Sequence, residues 1–503
     1  MIQIILYGVG ALIIAGYIYI TWNYDYWKKR NIPGPSARFF FGNLPNSITQ
    51  KRSVTYDIDD LYKEFKDRHG IIGYYNMRSP VLMILQPDIA KDVLVKHFKA
   101  FAKNEFADMF NKDVDPIFGR NPFMLKGNEW KEKRAEITPA FTVARIKTMY
   151  PIVEDVCSNM QKYLEREIDR KPTDGFDAKE LAAKFTTDVV SSCIFGLDAG
   201  SFTGGDATIR KMGTKIFSPD WKSLLYFFAT QFFPFIMKFY KMPIVPKDVE
   251  IFFVNLMKDA IALRGKTAIN RFDYLHYLIE LKEKNNLKEL DMVAHAITFF
   301  LDGFETSSVV LSFTLYELAK CERVQEKLRR EIRNTLEKHG KITHDIVLEM
   351  PYLDQVLNES LRLYPPAPFL GKVCTERIEL RVKEGECRII EEGDDVKIPI
   401  FSYHRDGEFF EEPEKFHPER FDPEHGGTKA FRDRGVFVPF GDGPRICLGM
   451  RFAQTQVKAA LVSLVNNFEL SVNAKTQEPI ILDPKQFFVH ALGGLWLNFK
   501  KIP

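Results

Sequence analysis

The sequence predicts a mainly α-helical fold with small β-sheets, arranged as one large body behind an N-terminal membrane helix. Three observations lead there. Residues Met1 to Trp22 form an apolar run without a charged side chain. Apolar residues at helical spacing dominate from about Asp59 to Leu363, and the last third mixes short strands, turns and one helix that follows a cysteine loop. No internal repeat, low-complexity tract or long linker follows Pro35, so the 503 residues read as a single unit behind the anchor.

Composition narrows the function classes. Apolar residues make up 45% and charged residues 27%, which is ordinary globular material with enough for a core. The net charge of +3 is spread without a basic stripe, so no nucleic acid is expected as a partner. Forty-three phenylalanines point to extensive aromatic packing, around an apolar ligand or within an aromatic core. Six cysteines (Cys157, Cys193, Cys321, Cys374, Cys387 and Cys447) show neither CxxC nor framework spacing. That favours a reduced compartment and no zinc site.

The first element, residues 1–22, is long enough to cross a bilayer as a helix. Lys28, Lys29 and Arg30 follow it. A cleavable signal would carry its positive charge ahead of a shorter apolar run, so an uncleaved anchor with the remaining chain on the cytosolic side is expected. Residues 23–36 read as a basic and proline-rich hinge in which Pro33-Gly34-Pro35 acts as a stiff, non-helical spacer, and residues 37–503 as the body. Tyr74 to Leu85 reads as a strand pair turning at Ser79-Pro80. Trp130 and Arg134 lie one helical turn apart on a charged helix, the spacing of a packing and cation–π pair. Leu224 to Met242, LLYFFATQFFPFIMKFYKM, carries eight aromatics broken only by Pro234. It is a cavity wall, a membrane-dipping element, or core packing.

Glu289 to Leu318 reads as one helix, roughly 45 Å long. Its middle is apolar nearly all round, the pattern of a helix buried through a core. Thr298, Asp302 and Thr306, spaced by four, nevertheless form a polar stripe on one face, with Glu305 beside them. Back-bonding to carbonyls one turn earlier accounts for the hydroxyls but not for two carboxylates. Asp302, poorly solvated, is expected to be protonated or hydrogen-bonded to Thr298 or Thr306, and Gly303 to permit close approach of a flat ligand.

Glu359 and Arg362 in NESLRLYPP lie three apart on a helix that Pro365-Pro366 ends, with Arg420 of PERF as a third member. The run FVPFGDGPRICLGMRFA, residues 437–453, then places Cys447 where a loop becomes a helix. Exposed amides, the helix dipole and Arg445 all favour a thiolate there, while Gly441, Gly443 and Gly449 let the backbone turn and lie flat. A buried structural cysteine is the alternative.

The spacing of Phe440, Gly443, Arg445, Cys447 and Gly449, preceded in order by DGFETSS, the Glu-x-x-Arg helix and PERF, resembles the cytochrome P-450 superfamily, in particular its insect microsomal members. The resemblance covers nearly the whole chain. It implies a cytochrome P-450-type catalytic domain, with Cys447 as axial ligand of haem b iron. It implies that Arg445, Trp130, Arg134 and, in a place often held by arginine, Lys372 hold the propionates. Phe440, Gly441, Gly443 and Gly449 would form the haem loop, and Glu359, Arg362 and Arg420 a structural lock. Glu305 and Thr306 would deliver protons to dioxygen at the haem. Asp302 stands where alanine is usual, with an effect on proton delivery or on a polar substrate group. Thr298, Phe299, Phe369 and Leu370 would face substrate, and Gln486 to Leu492 would return to the cavity. His490 there reads as a packed residue rather than a second iron ligand.

The implied activity is insertion of one oxygen atom from O2 into an apolar small molecule (xenobiotic, steroid or lipid) at the endoplasmic reticulum membrane. The chain has no nucleotide-binding fingerprint and no iron–sulfur cysteine spacing. Electrons would therefore come from NADPH through NADPH-cytochrome P-450 reductase, with cytochrome b5 as an additional donor. Arg451, Lys458, Lys131 and Lys133 are the candidate docking residues. A haem-thiolate isomerase or dehydratase, and a membrane-anchored haem sensor, are the alternative readings.

Overall fold

The computed structural model describes every residue except 171–173, 205–207, 217–220, 234, 267–270, 384 and 503. It is mainly helical with three small sheets, in agreement with the class predicted from the sequence. The anchor helix, Ile2–Thr21, buries none of its residues and has a mean hydropathy of 2.0. A helix this apolar and this exposed has the length and composition to cross a membrane.

The central helix, Glu289–Lys320, also passes that hydropathy test, but it lies inside the protein. Its apolar residues form the middle of the larger of two hydrophobic cores, against the helices Ala178–Phe195, Lys247–Lys266 and Met450–Asn467. Gly303 is where the Ala178–Phe195 helix comes closest: a Cβ there would lie 3.0 Å from Val190 Cγ1. The absence of a side chain at Gly303 thus serves helix packing. Gln456 ties the helix after the cysteine loop to the same place, donating to the Gly303 carbonyl at 3.1 Å and to Ser307 Oγ at 2.8 Å.

The smaller core lies on the five-stranded sheet, in which Ile71–Asn76, Ser79–Ile84, Asp395–Ile398, Leu370–Val373 and Lys103–Asn104 follow one another. The first two strands pair with Asn76 opposite Ser79. The turn is therefore Met77-Arg78, with Met77 in the left-handed region at φ 54°. Ser79-Pro80, expected as the turn, opens the second strand, a position where proline costs no ladder bond. Pro33-Gly34-Pro35 is non-helical as expected but packs directly on the first strand: Gly73 N donates to Pro33 O at 2.8 Å, and a Cβ on Gly34 would clash with Gly73 O. Trp27, 2% exposed, belongs to this core.

The lock is enclosed in protein. Glu359 and Arg362 are fully buried, and Arg362 grips the carboxylate through Nε and Nη2, both at 2.8 Å. Arg420 Nε and His417 N complete the acceptor side of Glu359 at 2.9 and 2.8 Å. The second guanidinium edge donates to the carbonyls of His404 and Pro413, both at 2.7 Å. Every charged edge has a partner, which is the condition for holding an ion pair away from water. This knot joins the helix Pro351–Leu363 to the segment leading into the cysteine loop.

Of the aromatic stretch, Pro234 lies outside the described residues. Trp221, Leu225, Phe235, Phe239 and Tyr240 are exposed, so core packing does not account for the segment. It meets the anchor instead: Tyr19 Oη donates to Phe232 O at 2.8 Å, and the Tyr19 and Phe233 rings stack at 5.5 Å.

Candidate active site

Cys447 lies three residues before the helix Met450–Asn467. Its amide donates to Phe440 O at 2.9 Å, closing the loop. Gly441 and Gly443 have φ of 72° and 69°, and a Cβ on Gly443 would lie 2.1 Å from Leu94 O, so both positions require glycine. Gly449 has an ordinary φ of −81° and no atom within 4 Å of a built Cβ, so the reason inferred for a glycine does not extend to it.

Cys447 is an exposed residue, and the surrounding protein still desolvates its thiol. Burial, with Asp302 nearby, pushes the thiol up to about 11, while the amides of Gly449 and Met450 and the charge of Arg134 pull it down. The cation acting on the sulfur is Arg134, where Arg445 was expected. Arg445 turns to Leu125 O at 2.6 Å and lies 4.3 Å over the Trp130 ring. Arg134, whose Nη2 donates to Ile446 O at 2.7 Å, therefore does not make the cation–π pair with Trp130 that its spacing predicts. Being one turn apart aligns two side chains without fixing which of them a third residue will cover.

Lys372 is 7% exposed and donates to Asn104 Oδ1 at 2.8 Å. Burial, reinforced by Arg445, lowers its amine to about 7. Burial likewise lowers Arg445 to about 10, with Arg134 adding to it. Among the described residues no carboxylate lies within ion-pair distance of Arg134, Arg445 or Lys372, and Arg445 Nε is buried without a partner. Two arginines and a lysine without a carboxylate partner, close to a thiol, suit a dianionic group that also takes a sulfur ligand. Haem, with two propionates, fits these residues.

On the central helix, Thr298 Oγ1 donates to Ala294 O at 2.7 Å and Thr306 Oγ1 to Asp302 O at 2.5 Å. Both hydroxyls are used one turn back, so the Asp302 carboxylate receives neither of the bonds expected for it. Like Cys447, Asp302 is an exposed residue, here on a helix that is otherwise largely buried. Burial raises its carboxyl to about 7, with Arg134 opposing. Glu305 faces elsewhere: His490 Nε2 lies 2.9 Å and Lys179 Nζ 3.0 Å from Oε1. Burial works against its charge, but the His490 hydrogen bond and Lys179 prevail and hold the carboxyl down to about 2. His490 is thus a hydrogen-bond partner of the central helix rather than a packed apolar-strand residue.

Other predicted residues separate. Phe299 sits in the core, packed by Phe141, Tyr274 and Phe452 at 4.8 to 4.9 Å between centroids. Leu370 reaches within 3.7 Å of a Cβ built on Gly441, beside the cysteine loop, while the Phe369 ring lies under Lys397. Of the docking candidates, Lys131 and Arg451 are exposed. Lys458 is buried and paired with Asp354 at 2.7 Å, which removes it from any docking face, and Lys133 is engaged by Glu136 and Asp291. Lys179, Asn104 and Gln456 were not singled out from the sequence; each is an ordinary polar residue whose partner is distant in the chain.

The fold and site together define a haem-thiolate oxygenase. The sequence profile described as Cytochrome P450 matches residues 32–497, and the chain belongs to that family. It is 41% identical to "Probable cytochrome P450 28a5" of Drosophila melanogaster over the whole of both chains. It is 40% identical to "Probable cytochrome P450 28d1" of the same species over 98% of each chain. "Cytochrome P450 6j1" of Blattella germanica is 34% identical, with 97% of this chain and 96% of that one covered. The chain is thus an oxidoreductase of the oxygen-incorporating kind, with haem as its cofactor.

Proposed function

We propose that the protein inserts one atom of dioxygen into an apolar small molecule, a xenobiotic, steroid or lipid. It does so at the endoplasmic reticulum membrane, with NADPH electrons supplied by NADPH-cytochrome P-450 reductase and cytochrome b5 as an additional donor. The observation that carries the reading is the Cys447 thiol, on which Asp302 and Arg134 act electrostatically, together with Arg134, Arg445 and Lys372, none of which pairs with a carboxylate among the described residues. Haem bound through Cys447 supplies the activation of dioxygen.

The chain's own residues supply position and protons. Arg134, Arg445 and Lys372 hold the propionates, with the Trp130 ring against Arg445. Thr306 hands on protons at one end of the route. Glu305, anionic at neutral pH, releases no proton of its own and relays one only through a titratable partner, and His490 is in hydrogen-bond contact with it. The exposed apolar anchor and the aromatic segment beside it support membrane attachment.

Purified protein reconstituted with the flavin reductase and NADPH tests the reading, by product and NADPH consumption for wild type and Thr306→Ala. Wild type forms oxygenated product, whereas the variant consumes NADPH with about tenfold less product per NADPH. Equal rate and coupling in the two proteins overturn the role of Thr306. Product formed without NADPH and reductase overturns the monooxygenase reading.

A further inference from the structure

Asp302 is the feature that the reaction itself leaves unexplained. It is an exposed residue on a largely buried helix, close enough to Cys447 to raise its thiol, and among the described residues no hydrogen bond or ion pair reaches its carboxylate. The neighbours that might have satisfied it are committed elsewhere. Thr298 and Thr306 bond to main-chain carbonyls, Arg134 to Ile446 O, and Lys179 and His490 to Glu305. A desolvated carboxylate without a partner is costly, and a fold that leaves it so has kept its acceptor capacity for something that enters.

We propose that Asp302 is a substrate-binding residue that selects apolar molecules bearing a positively charged nitrogen, as a protonated amine or an ammonium group. The inference rests on the monooxygenase reading and names the substrate class within it. An apolar body suits neighbours such as Leu370 beside the cysteine loop, while the cationic nitrogen supplies the partner that the Asp302 carboxylate lacks. A neutral hydrocarbon entering the same space leaves the carboxylate unpaired, so the residue discriminates by penalising the uncharged analogue as well as by attracting the cation. Burial already destabilises the Asp302 anion, and a bound cation removes that penalty.

The test uses the full-length, haem-loaded protein and a matched pair of probes. These are 4-phenylbutyltrimethylammonium, whose quaternary nitrogen has no lone pair for iron, and its neutral isostere with a tert-butyl group in place of trimethylammonium. Affinities are measured by equilibrium dialysis for wild type, Asp302→Asn and Asp302→Ala. Wild type is expected to bind the cation about tenfold or more tightly than Asp302→Asn does, the strength of a charge-assisted contact in a desolvated site. The neutral isostere should change by no more than about twofold, which shows that the site is intact. The carbon monoxide spectrum of each protein reports the thiolate-bound haem, so loss of that band in wild type indicts the monooxygenase reading and not this one. If Asp302→Asn does not load haem, Asp302→Ala carries the comparison, since alanine removes the carboxylate without leaving an amide to bury. Equal affinity for the cation in wild type and in the haem-loaded variant overturns the proposal.

Discussion

Charge at single residues sets most of what this site does. The Cys447 thiol is held up by burial and by Asp302, and eased by two amides and Arg134. Replacing it by histidine keeps a nitrogen for iron but removes the sulfur. The carbon monoxide complex of Cys447→His is expected to lose the red-shifted thiolate band, and a retained band overturns the ligand assignment. Glu305 makes a second prediction, in which the sign follows from its pKa. Its carboxyl falls from an ordinary 4.5 to about 2 in the folded protein. The pairing with Lys179 and His490 therefore contributes fully above about pH 5 and is lost as pH falls toward 2. Urea unfolding of wild type and Glu305→Gln should differ by about 1–3 kcal/mol at pH 7, and the gap should narrow steadily between pH 5 and pH 3. A gap that is constant across that range means that the triad is not held by charge. The acid itself was legible in DGFETSS, but its partners were not. His490 is 185 positions away, in a segment whose apolar neighbours read as core.

Two elements show where pattern suffices and where it fails. The central helix was expected at Glu289–Leu318 and runs Glu289–Lys320, because an all-round apolar stretch of that length has few alternatives. What its glycine is for was not legible: the pattern says that Gly303 is small, whereas only the neighbouring Val190 says why. Gly303→Leu should overpack that crossing and cost about 1–3 kcal/mol in thermal or urea unfolding. The lock between the helix Pro351–Leu363 and the cysteine loop is the other case. Arg362→Ala leaves Glu359 buried without its main partner and is expected to cost about 3–5 kcal/mol, read from the unfolding midpoint and from haem retained on purification. A variant with wild-type stability shows that the knot is dispensable.

At the scale of the whole molecule, the exposed apolar N-terminal helix and the exposed aromatic segment lie side by side. The anchor helix touches the aromatic segment through Tyr19, and Arg78 of the first hairpin lies 3.9 Å over the Tyr19 ring while donating to Phe232 O at 2.9 Å. Protein lacking residues 1–22 is expected to keep its haem band and still to sediment in part with phospholipid vesicles. Replacing Leu225, Phe235 and Phe239 by serine in that truncated protein should release it to the supernatant. If the truncated protein remains wholly in the supernatant before those changes, the aromatic segment is not a second contact.

Sequence alone determines the apolar N-terminal helix, the buried helix, the order of the charged lock and cysteine loop, and through them the family. Each is a local pattern, set by periodicity, by the absence of charge, or by residue types that a turn demands. Tertiary structure decides which cation serves the thiol, which residues hold Glu305 as an anion, and that Asp302 is left without a partner. Those outcomes depend on side chains brought together from distant parts of the chain, where burial strengthens a charge contact that no local spacing encodes.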